Sequence, residues 1–372
     1  MTMILVILLI VTGLAYLSQR ESMKYTQTDG RKHWDIFLIL LIIFLVLFAG
    51  LRTAYNDTAN YAKGFQNSVT IREFLSDSDN LDLLHNPLFY GFQALIRTFT
   101  DNTSVFFIIC ALVVNILNVR FIKRNTDTQD FAMSMFLYVT LGTLMLSLAA
   151  QKQSLAMSVL TLALTQLFDK HYVKYYIIVF IAGLIHSYAW LFLFLPLLDC
   201  KPWTIRTYIL LLGTIIIMNT FEGTIMTIIE VADQIGKNVS IDEVFDGNRM
   251  NIFRVLVYAM IPLATLIFKK MLDEQLERKE CIFIQMCIIS LMFMMMGTMN
   301  GANMFGRSAN YFEMGMICVM PVMIRKLFTK KSAFIVFVIS ILCFSSFYLY
   351  DSKNFNIEYR HKTITQFIQE VI

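Results

Sequence analysis

Apolar residues occur in long runs that alternate with shorter polar segments along the whole chain. A membrane-spanning helix needs about 20 mostly apolar residues, with a usual range of about 17–25. Several runs are shorter, so we expect some helices to extend into their polar flanks. The pattern predicts an all-α polytopic membrane protein. The runs cover residues 3–17, 36–51, 104–119, 131–148, 154–168, 175–198, 207–221, 252–268, 281–299, 309–324 and 333–350.

The composition indicates a bilayer environment. Apolar residues make up 57% of the 372 residues and charged residues only 16%, against roughly 25% charged residues in soluble proteins. The net charge of +4 is too small to indicate a nucleic-acid partner. We therefore expect a single integral membrane domain over residues 1–372, with its longest loops at 52–102 and 222–251.

The sequence indicates neither a disulfide framework nor a cleaved signal peptide. The six cysteines lie in or beside apolar runs without CxxC spacing, so we interpret them as small buried hydrophobic residues. Run 3–17 has no basic residue before it and no small-residue cleavage site after it. It predicts a retained membrane helix rather than a signal peptide.

Clusters of lysine and arginine orient the runs, because cytoplasmic loops of membrane proteins are enriched in these residues. Placing the clusters in the cytoplasm puts Arg52 and both long loops on the outer face. Segment 87–99 is too short to span and carries Arg97, so we predict a re-entrant or interfacial segment within loop 52–102. The clusters are Arg20/Lys24/Arg31/Lys32, Arg120/Lys123/Arg124, Lys170/Lys174, Lys201/Arg206, Lys269/Lys270/Arg278/Lys279 and Arg325/Lys326/Lys330/Lys331.

Run 175–198 has basic residues on both sides, and both flanks are expected in the cytoplasm. A single span would place Lys201 and Arg206 outside and invert everything that follows. We therefore predict a hairpin of two short helices with His186 and Ser187 near its tip. Bare turns are not tolerated in lipid, so this tip should close inside protein. Counting both arms gives about 12 transmembrane segments, with both ends of the chain outside.

This topology places four polar features on the outer face: Arg52 with Asp57, Lys152, His186 and Arg307. Each alone has an ordinary explanation, such as a snorkelling arginine, a turn lysine, a satisfied core histidine or an interfacial anchor. Asp57 could also pair with Arg52 or Lys152. Together they form a cluster of cations without matching acids, which favours an anionic ligand such as phosphate.

Short motifs around these residues occur in a fixed order between residues 36 and 325. They are Gly50-Leu51-Arg52 with Asp57-Thr58 and Tyr61, Asn86-Pro87-Leu88-Phe89-Tyr90, Gln151-Lys152-Gln153-Ser154, Ile185-His186-Ser187 and Arg307-Ser308-Ala309-Asn310-Tyr311-Phe312. The ordered set resembles the EpsG family of polysaccharide polymerases, relatives of the Wzy-type polymerases. Two positions depart from the family pattern: Lys152 stands where arginine is usual, and Asn86 where an acid is common.

The resemblance implies a membrane glycosyltransferase of GT-C-like architecture in the plasma membrane, active on its outer face. Such enzymes join oligosaccharide repeat units carried on undecaprenyl pyrophosphate into O-antigen, capsule or exopolysaccharide. The implied partners are a lipid-linked donor, a lipid-linked acceptor and the surrounding membrane lipids, and a chain-length regulator is a further candidate partner.

On this interpretation Arg52, Lys152 and Arg307 hold the pyrophosphate, since fixed cations stabilise the charge of the leaving group. The acceptor hydroxyl needs a general base. Histidine has a suitable ordinary pKa, which favours His186, and Asp57 is its rival. We expect no cofactor, and no obligatory metal because the sequence shows no clustered acids or histidines of metal-ligand spacing.

Three alternative functions remain open at this stage. A lipid-linked oligosaccharide flippase would also need cations, but distributed through a passage rather than on one side. A membrane acyltransferase usually pairs its histidine with a neighbouring acid, and His186 has none adjacent. A ligase of the O-antigen type uses almost the same chemistry with a different acceptor.

Overall fold

The computed structural model of the chain describes residues 2–29, 34–234, 241, 245 and 247–371. These residues are almost entirely helical, and the all-α expectation holds apart from two short strands. The chain divides into two compact units, Met1–Trp190 with Phe334–Ile372, and Leu191–Ala333. The expected single membrane domain over residues 1–372 stays a prediction.

The first unit contains most of the predicted site. Among its long helices, α6 packs against α2 and α9, and α9 packs against α10. Between α2 and α6 the chain forms short helices, where the sequence predicted a loop containing one such segment. The elements are α1 (Thr2–Asp29), α2 (Ile36–Gly50), β1 (Arg52–Ala54), α3 (Thr58–Gln66), α4 (Ile71–Ser76), α5 (Pro87–Arg97), α6 (Thr103–Asn125), α7 (Phe131–Thr140), α8 (Thr143–Ala149), α9 (Gln151–Phe168) and α10 (Tyr172–Ile185).

Gly50 allows α2 and α6 to approach closely just before Arg52. A Cβ atom added at Gly50 would lie 2.6 Å from Cγ1 and 2.8 Å from Cα of Ile108. No real side chain fits at that distance, so the glycine of the Gly50-Leu51-Arg52 motif is required by packing rather than by backbone conformation.

At the opposite end of α2, an ion pair joins three helices. Lys123 of α6 donates to Asp35 Oδ2 at 2.9 Å and to Ser18 Oγ of α1 at 2.8 Å. Asp35 also caps α2 by accepting from the backbone N–H of Leu38. The side chains of Lys123 and Asp35 are only 9% and 7% exposed, so each charge depends on the other.

Helix length and apolarity indicate which helices are able to span a membrane. Within the described part of the chain, four helices are long and apolar enough to cross a membrane, and two bent helix pairs could bring the total to six. Four further apolar helices are shorter. The structure therefore supports an all-α membrane protein, while the count of twelve is not confirmed.

Runs 131–148 and 175–198 are broken inside the protein. Run 131–148 is divided between α7 and α8 at Gly142, whose φ of 99° ends the first helix, and the two parts meet at 43°. Run 175–198 is divided at His186, which is extended, with a 3₁₀ helix (Ser187–Leu198) following it. Trp190 lies against Gly183 and Phe180 of α10. The break at His186 is confirmed, and the return of the hairpin across a bilayer stays a prediction.

The second unit is built around α15, which packs against α13, α16 and α17. Gly315 of α17 fits closely there, because a Cβ would lie 2.6 Å from the Phe283 carbonyl. The segment 222–251 was predicted as a loop but begins with helix α12; residues 235–240, 242–244 and 246 lie outside the described residues. The elements are α11 (Ile205–Asn219), α12 (Phe221–Gln234), α13 (Ile252–Ile267), α14 (Lys269–Leu272), α15 (Arg278–Met296), α16 (Ala302–Asn310) and α17 (Glu313–Leu327).

The last elements return to the first unit. Helix α18 (Lys330–Asp351) is followed by α19 (Phe355–Glu358), β2 (Arg360–His361) and α20 (Ile364–Val371). Strand β2 pairs antiparallel with β1. The ends of α2 and α18 and the start of α6 therefore lie on the same side, as the predicted topology requires.

Candidate functional site

Arg52 lies at the start of β1 and is only 3% exposed. Its Nε donates to Thr58 Oγ1 at 3.3 Å, and its terminal nitrogens donate to the Ala49 carbonyl at 2.5 Å and to Gln151 Oε1 at 3.0 Å. The guanidinium carbon lies 4.2 Å from the centroid of the Phe107 ring. All of these partners are neutral, so they orient the positive charge without cancelling it.

Burial lowers the pKa of Arg52 to about 10, so the side chain remains charged at neutral pH. In the described conformation its nitrogens contact protein rather than solvent. A buried cation with neutral partners creates a positive potential around it, because the protein interior screens charge weakly. Direct contact between Arg52 and a pyrophosphate stays a prediction.

Lys152 follows Gln151 in the first turn of α9 and is half-buried. Its Nζ donates to Tyr90 Oη at 3.3 Å and lies 5.2 Å and 5.6 Å from the ring centroids of Tyr90 and Phe89. Its backbone N–H donates to Tyr61 Oη at 3.5 Å. Aromatic rings attract a cation without neutralising it, so α3 and α5 position Lys152 with its charge intact.

Asn86 fixes the turn that carries His186. Its backbone is left-handed, with φ 58° and ψ 52°, a conformation that asparagine adopts more readily than most residues. Its Oδ1 accepts a hydrogen bond from the backbone N–H of Ser187 at 3.2 Å. His186 itself is half-buried, and its ring stands edge-on to Tyr188 with 5.2 Å between centroids.

Helix α5 connects the histidine turn to the lysine. Asn86 precedes the helix and Tyr90 is four residues further on, so the two contacts are separated by about one turn, or about 6 Å along the axis. Asn86 reaches Ser187, and Tyr90 reaches Lys152. The structure thus brings the motifs of Arg52, Asn86, Lys152 and His186 together at one end of the first unit.

An apolar cavity of about 560 Å³ lies beside this cluster. It is lined by residues of α4, α5, α6, α9 and α10 and by Leu81, and every lining residue is apolar or glycine. Three lining residues adjoin the cluster along the chain: Pro87 follows Asn86, Ile185 precedes His186, and Leu155 lies one turn after Lys152. The site therefore combines a polar, positively charged end with a space suited to a hydrocarbon chain.

Asp57 is half-buried at the residue before α3. Its Oδ1 accepts from Asn60 Nδ2 at 3.4 Å. Among the described residues it forms no ion pair with Arg52 or Lys152, so the pairing considered from sequence is not found. Its proposed role as a base stays a prediction.

Arg307 belongs to the second unit, where it lies half-buried in the last turn of α16. The sequence placed it at the outer end of run 309–324, but that run is divided at Tyr311 and Phe312 into α16 and α17. Phe312 stacks on Phe192 with 4.9 Å between centroids. Glu313 opens α17, is 1% exposed and accepts a hydrogen bond from the Tyr258 hydroxyl.

The sequence did not single out several residues of the first-unit site, nor a buried pair within the second unit. Gln151 stands beside Lys152 in its motif, which was a signal for a shared role. Tyr61 and Tyr90 were not distinguished from ordinary interfacial tyrosines. No chain pattern linked Glu313 to Tyr258, because that contact joins helices 55 residues apart.

The fold and site define a helical membrane protein whose polar site combines an uncancelled positive charge with an adjoining hydrocarbon cavity. Residues 35–364 match the EpsG family. The chain therefore belongs to the EpsG family, whose members are membrane proteins of the polysaccharide-polymerase type. No curated protein and no solved structure matches the chain.

Proposed function

We propose that this protein is a membrane glycosyltransferase that polymerises undecaprenyl-pyrophosphate-linked oligosaccharide repeat units into surface polysaccharide on the outer face of the plasma membrane. The observation that carries the proposal is the apolar cavity adjoining Lys152. A lipid pyrophosphate needs a cation for its head and an apolar space for its chain, and this site offers both.

Lys152 is the cation we assign to direct contact with the pyrophosphate. It lies in the first turn of α9, and the residue before that helix, Ala150, has no side-chain acceptor to cap the helix N–H groups. A helix N-terminus carries partial positive charge and favours phosphate. Arg52, which donates a hydrogen bond to the neighbouring Gln151, contributes its buried charge to the potential at Lys152. Arg307 is the third proposed cation.

The reaction breaks the bond between the anomeric carbon of the donor glycan and the pyrophosphate oxygen. The bonding electrons leave with undecaprenyl pyrophosphate, whose charge the cations stabilise. A hydroxyl at the non-reducing end of the acceptor unit forms the new bond to the anomeric carbon. Its proton passes to the general base, so each cycle lengthens the lipid-linked glycan and releases one lipid pyrophosphate.

His186 and Asp57 are the two candidates for the base. His186 is placed by the Asn86–Ser187 bond, one turn of α5 away from Tyr90. Asp57 lies one turn of α3 before Tyr61, which contacts the Lys152 backbone. If His186 is the base, His186→Ala should slow polymerisation roughly 10²–10⁴-fold, while Asp57→Asn remains active. The reverse result would exchange the two roles.

A strain lacking this protein tests the function against its rivals. We expect single repeat units at the cell surface, restored to polymer by the wild-type protein and by Lys174→Gln, an exposed control lysine at the start of α10. Lys152→Gln should fail to restore polymer. Long polymer retained on lipid pyrophosphate would indicate a ligase instead. Repeat units trapped on the cytoplasmic face would indicate a flippase.

A further inference from the structure

The segment after α18 is bound to the elements that carry Arg52. In the β1–β2 pair Arg52 stands opposite His361, and the backbone N–H of Lys362 donates to the Leu51 carbonyl at 2.9 Å. The Tyr359 hydroxyl donates to the Phe48 carbonyl at 2.7 Å, in the last turn of α2. These bonds hold β1 in place.

Aromatic packing strengthens this attachment. The ring of Phe355 lies 5.1 Å from that of Tyr55 and 4.8 Å from that of Tyr359, and Tyr359 lies 5.1 Å from Phe48. Phe355 and Tyr359 are only 1% and 4% exposed. The segment is therefore an integral part of the unit up to β2.

Helix α20 differs, because none of its residues is buried. Its apolar side chains repeat at intervals of three and four residues, which places them on one helix face: Ile364, Phe367, Ile368 and Val371. Ile364, Ile368 and Val371 are 52%, 47% and 51% exposed. The other face carries Thr365, Gln366, Gln369 and Glu370.

Both ends of α20 are held at the start of α6. Lys362 Nζ, just before α20, donates to Ser104 Oγ at 2.9 Å and to Glu370 Oε2 at 2.5 Å. Asn102, which caps α6, donates from Nδ2 to the Glu370 carbonyl at 3.4 Å. Helix α20 therefore lies across the start of α6 instead of extending away from it. Since α6 is long and apolar enough to span a membrane, its first turn marks the level at which the chain enters hydrocarbon.

We propose that α20 is an interfacial anchor that binds the surface of the same bilayer. Its apolar face inserts among the upper acyl chains of the leaflet at which α6 begins. The exposed Arg360 before it, which within the described part of the chain donates only to backbone carbonyls, meets the anionic head groups, as in other amphipathic helices that lie in the membrane plane. Through β2 the anchor holds β1, and with it Arg52, at a fixed depth.

Lipid photolabelling tests the contact directly. The full chain is reconstituted in vesicles of phosphatidylethanolamine and phosphatidylglycerol that include a phospholipid with a diazirine near the top of one acyl chain. After irradiation, mass spectrometry should place adducts on the apolar face of α20 and not on Gln366 or Gln369. Absence of α20 adducts, when peptides of α18 are labelled in the same sample, overturns the proposal. So does cross-linking of Lys362 in one copy to Lys362 in another by a bifunctional amine-reactive reagent, which would indicate that a second copy covers this face.

A matched pair of variants tests the link to β1. Ile368→Glu and Gln369→Glu add the same charge to opposite faces of one helix turn. Ile368→Glu should abolish α20 labelling and increase amide hydrogen exchange in 352–362 at least severalfold, while Gln369→Glu leaves both at the wild-type level. Equal behaviour of the two variants in both measurements contradicts a lipid-facing side of α20.

Discussion

The guanidinium of Arg52 donates a hydrogen bond to Gln151 Oε1 at 3.0 Å and so joins two motifs that are 99 residues apart. Arg52 begins β1, shortly after the end of α2, and Gln151 is the first residue of α9, the helix that carries Lys152. One buried cation therefore sets the position of another, more exposed one. This relationship explains how the motifs can act as a single site although each is short.

The Arg52–Gln151 bond should be essential for positioning Lys152. Gln151→Ala removes an acceptor from a buried charge, which costs about 1.5–3 kcal/mol for a hydrogen bond to a charged group. We expect a lower melting temperature in detergent and reduced polymer synthesis. Arg52→Lys should resemble Gln151→Ala, since it keeps the charge but loses the planar fork.

The double variant Arg52→Lys/Gln151→Ala should be little worse than either single variant, because residues that share a bond are not additive. Fully additive losses in melting temperature would show that the two side chains act independently and would contradict the arrangement.

Substitutions at Asn86 should follow its two structural tasks, the left-handed backbone and the acceptor for Ser187 N–H. Asn86→Asp keeps both and should retain polymer synthesis. Asn86→Gly keeps the backbone alone and should lose activity partly, and Asn86→Ala loses both tasks. The check is polymer length in cells. Loss of activity in Asn86→Asp equal to that in Asn86→Ala would contradict this explanation.

Gly50 should tolerate no side chain. Gly50→Ala forces α2 away from Ile108 of α6, and such overpacking costs about 1–3 kcal/mol. Gly13→Ala is the matched control, because a Cβ at Gly13 of α1 meets nothing within 4 Å. That change should be neutral or stabilise by up to about 1 kcal/mol, as alanine favours helices. Thermal unfolding in detergent compares the two, and equal melting temperatures would contradict the close approach of α2 and α6.

Replacing both Asp35 and Lys123 should destabilise the protein less than replacing either one alone. Breaking a buried pair leaves an unpaired charge and costs about 3–5 kcal/mol, so Asp35→Asn or Lys123→Met should each destabilise strongly. The double variant should recover much of this loss. A double variant as unstable as the two single losses combined would contradict mutual dependence.

The same pair predicts a dependence on pH. Burial acts to raise the pKa of Asp35, but hydrogen bonds from Lys123, Ser18 and the Leu38 N–H outweigh it, so the pKa lies below its ordinary value. A carboxylate whose pKa is lower in the folded than in the unfolded state stabilises the protein at pH values above its ordinary pKa. This stabilisation is lost as the pH falls through the lowered folded-state pKa. Asp35→Asn should therefore flatten the acid limb of the stability profile.

The sequence predicted the elements whose signal is local. Apolar runs marked the helices, basic clusters placed the ends of α2 and α18 and the start of α6 on one side, and the break at His186 followed from its two basic flanks. The motif order indicated the EpsG family, to which the chain belongs. These features depend on composition and spacing within one segment, which a single sequence displays.

The rest depends on contacts between distant segments. The partners of Arg52 and Lys152, the Asn86–Ser187 bond and the pairing of β2 with β1 arise only when helices pack. Helix breaks at Gly142 and at Tyr311 lie inside continuous apolar runs, where hydrophobicity carries no boundary signal. The expected twelve spans, counted from such runs, stay a prediction.

Polymerase activity can be measured with purified protein incubated with one synthetic undecaprenyl-pyrophosphate-linked repeat unit in excess EDTA. We expect a ladder of lengthening products and one equivalent of undecaprenyl pyrophosphate released per linkage. The ladder should be lost with Lys152→Gln, kept better with Lys152→Arg and unchanged with Lys174→Gln. A ladder of wild-type length from Lys152→Gln would show that the pyrophosphate is held elsewhere. No ladder from the wild-type protein, with or without added Mg²⁺ or Mn²⁺, would contradict a polymerase.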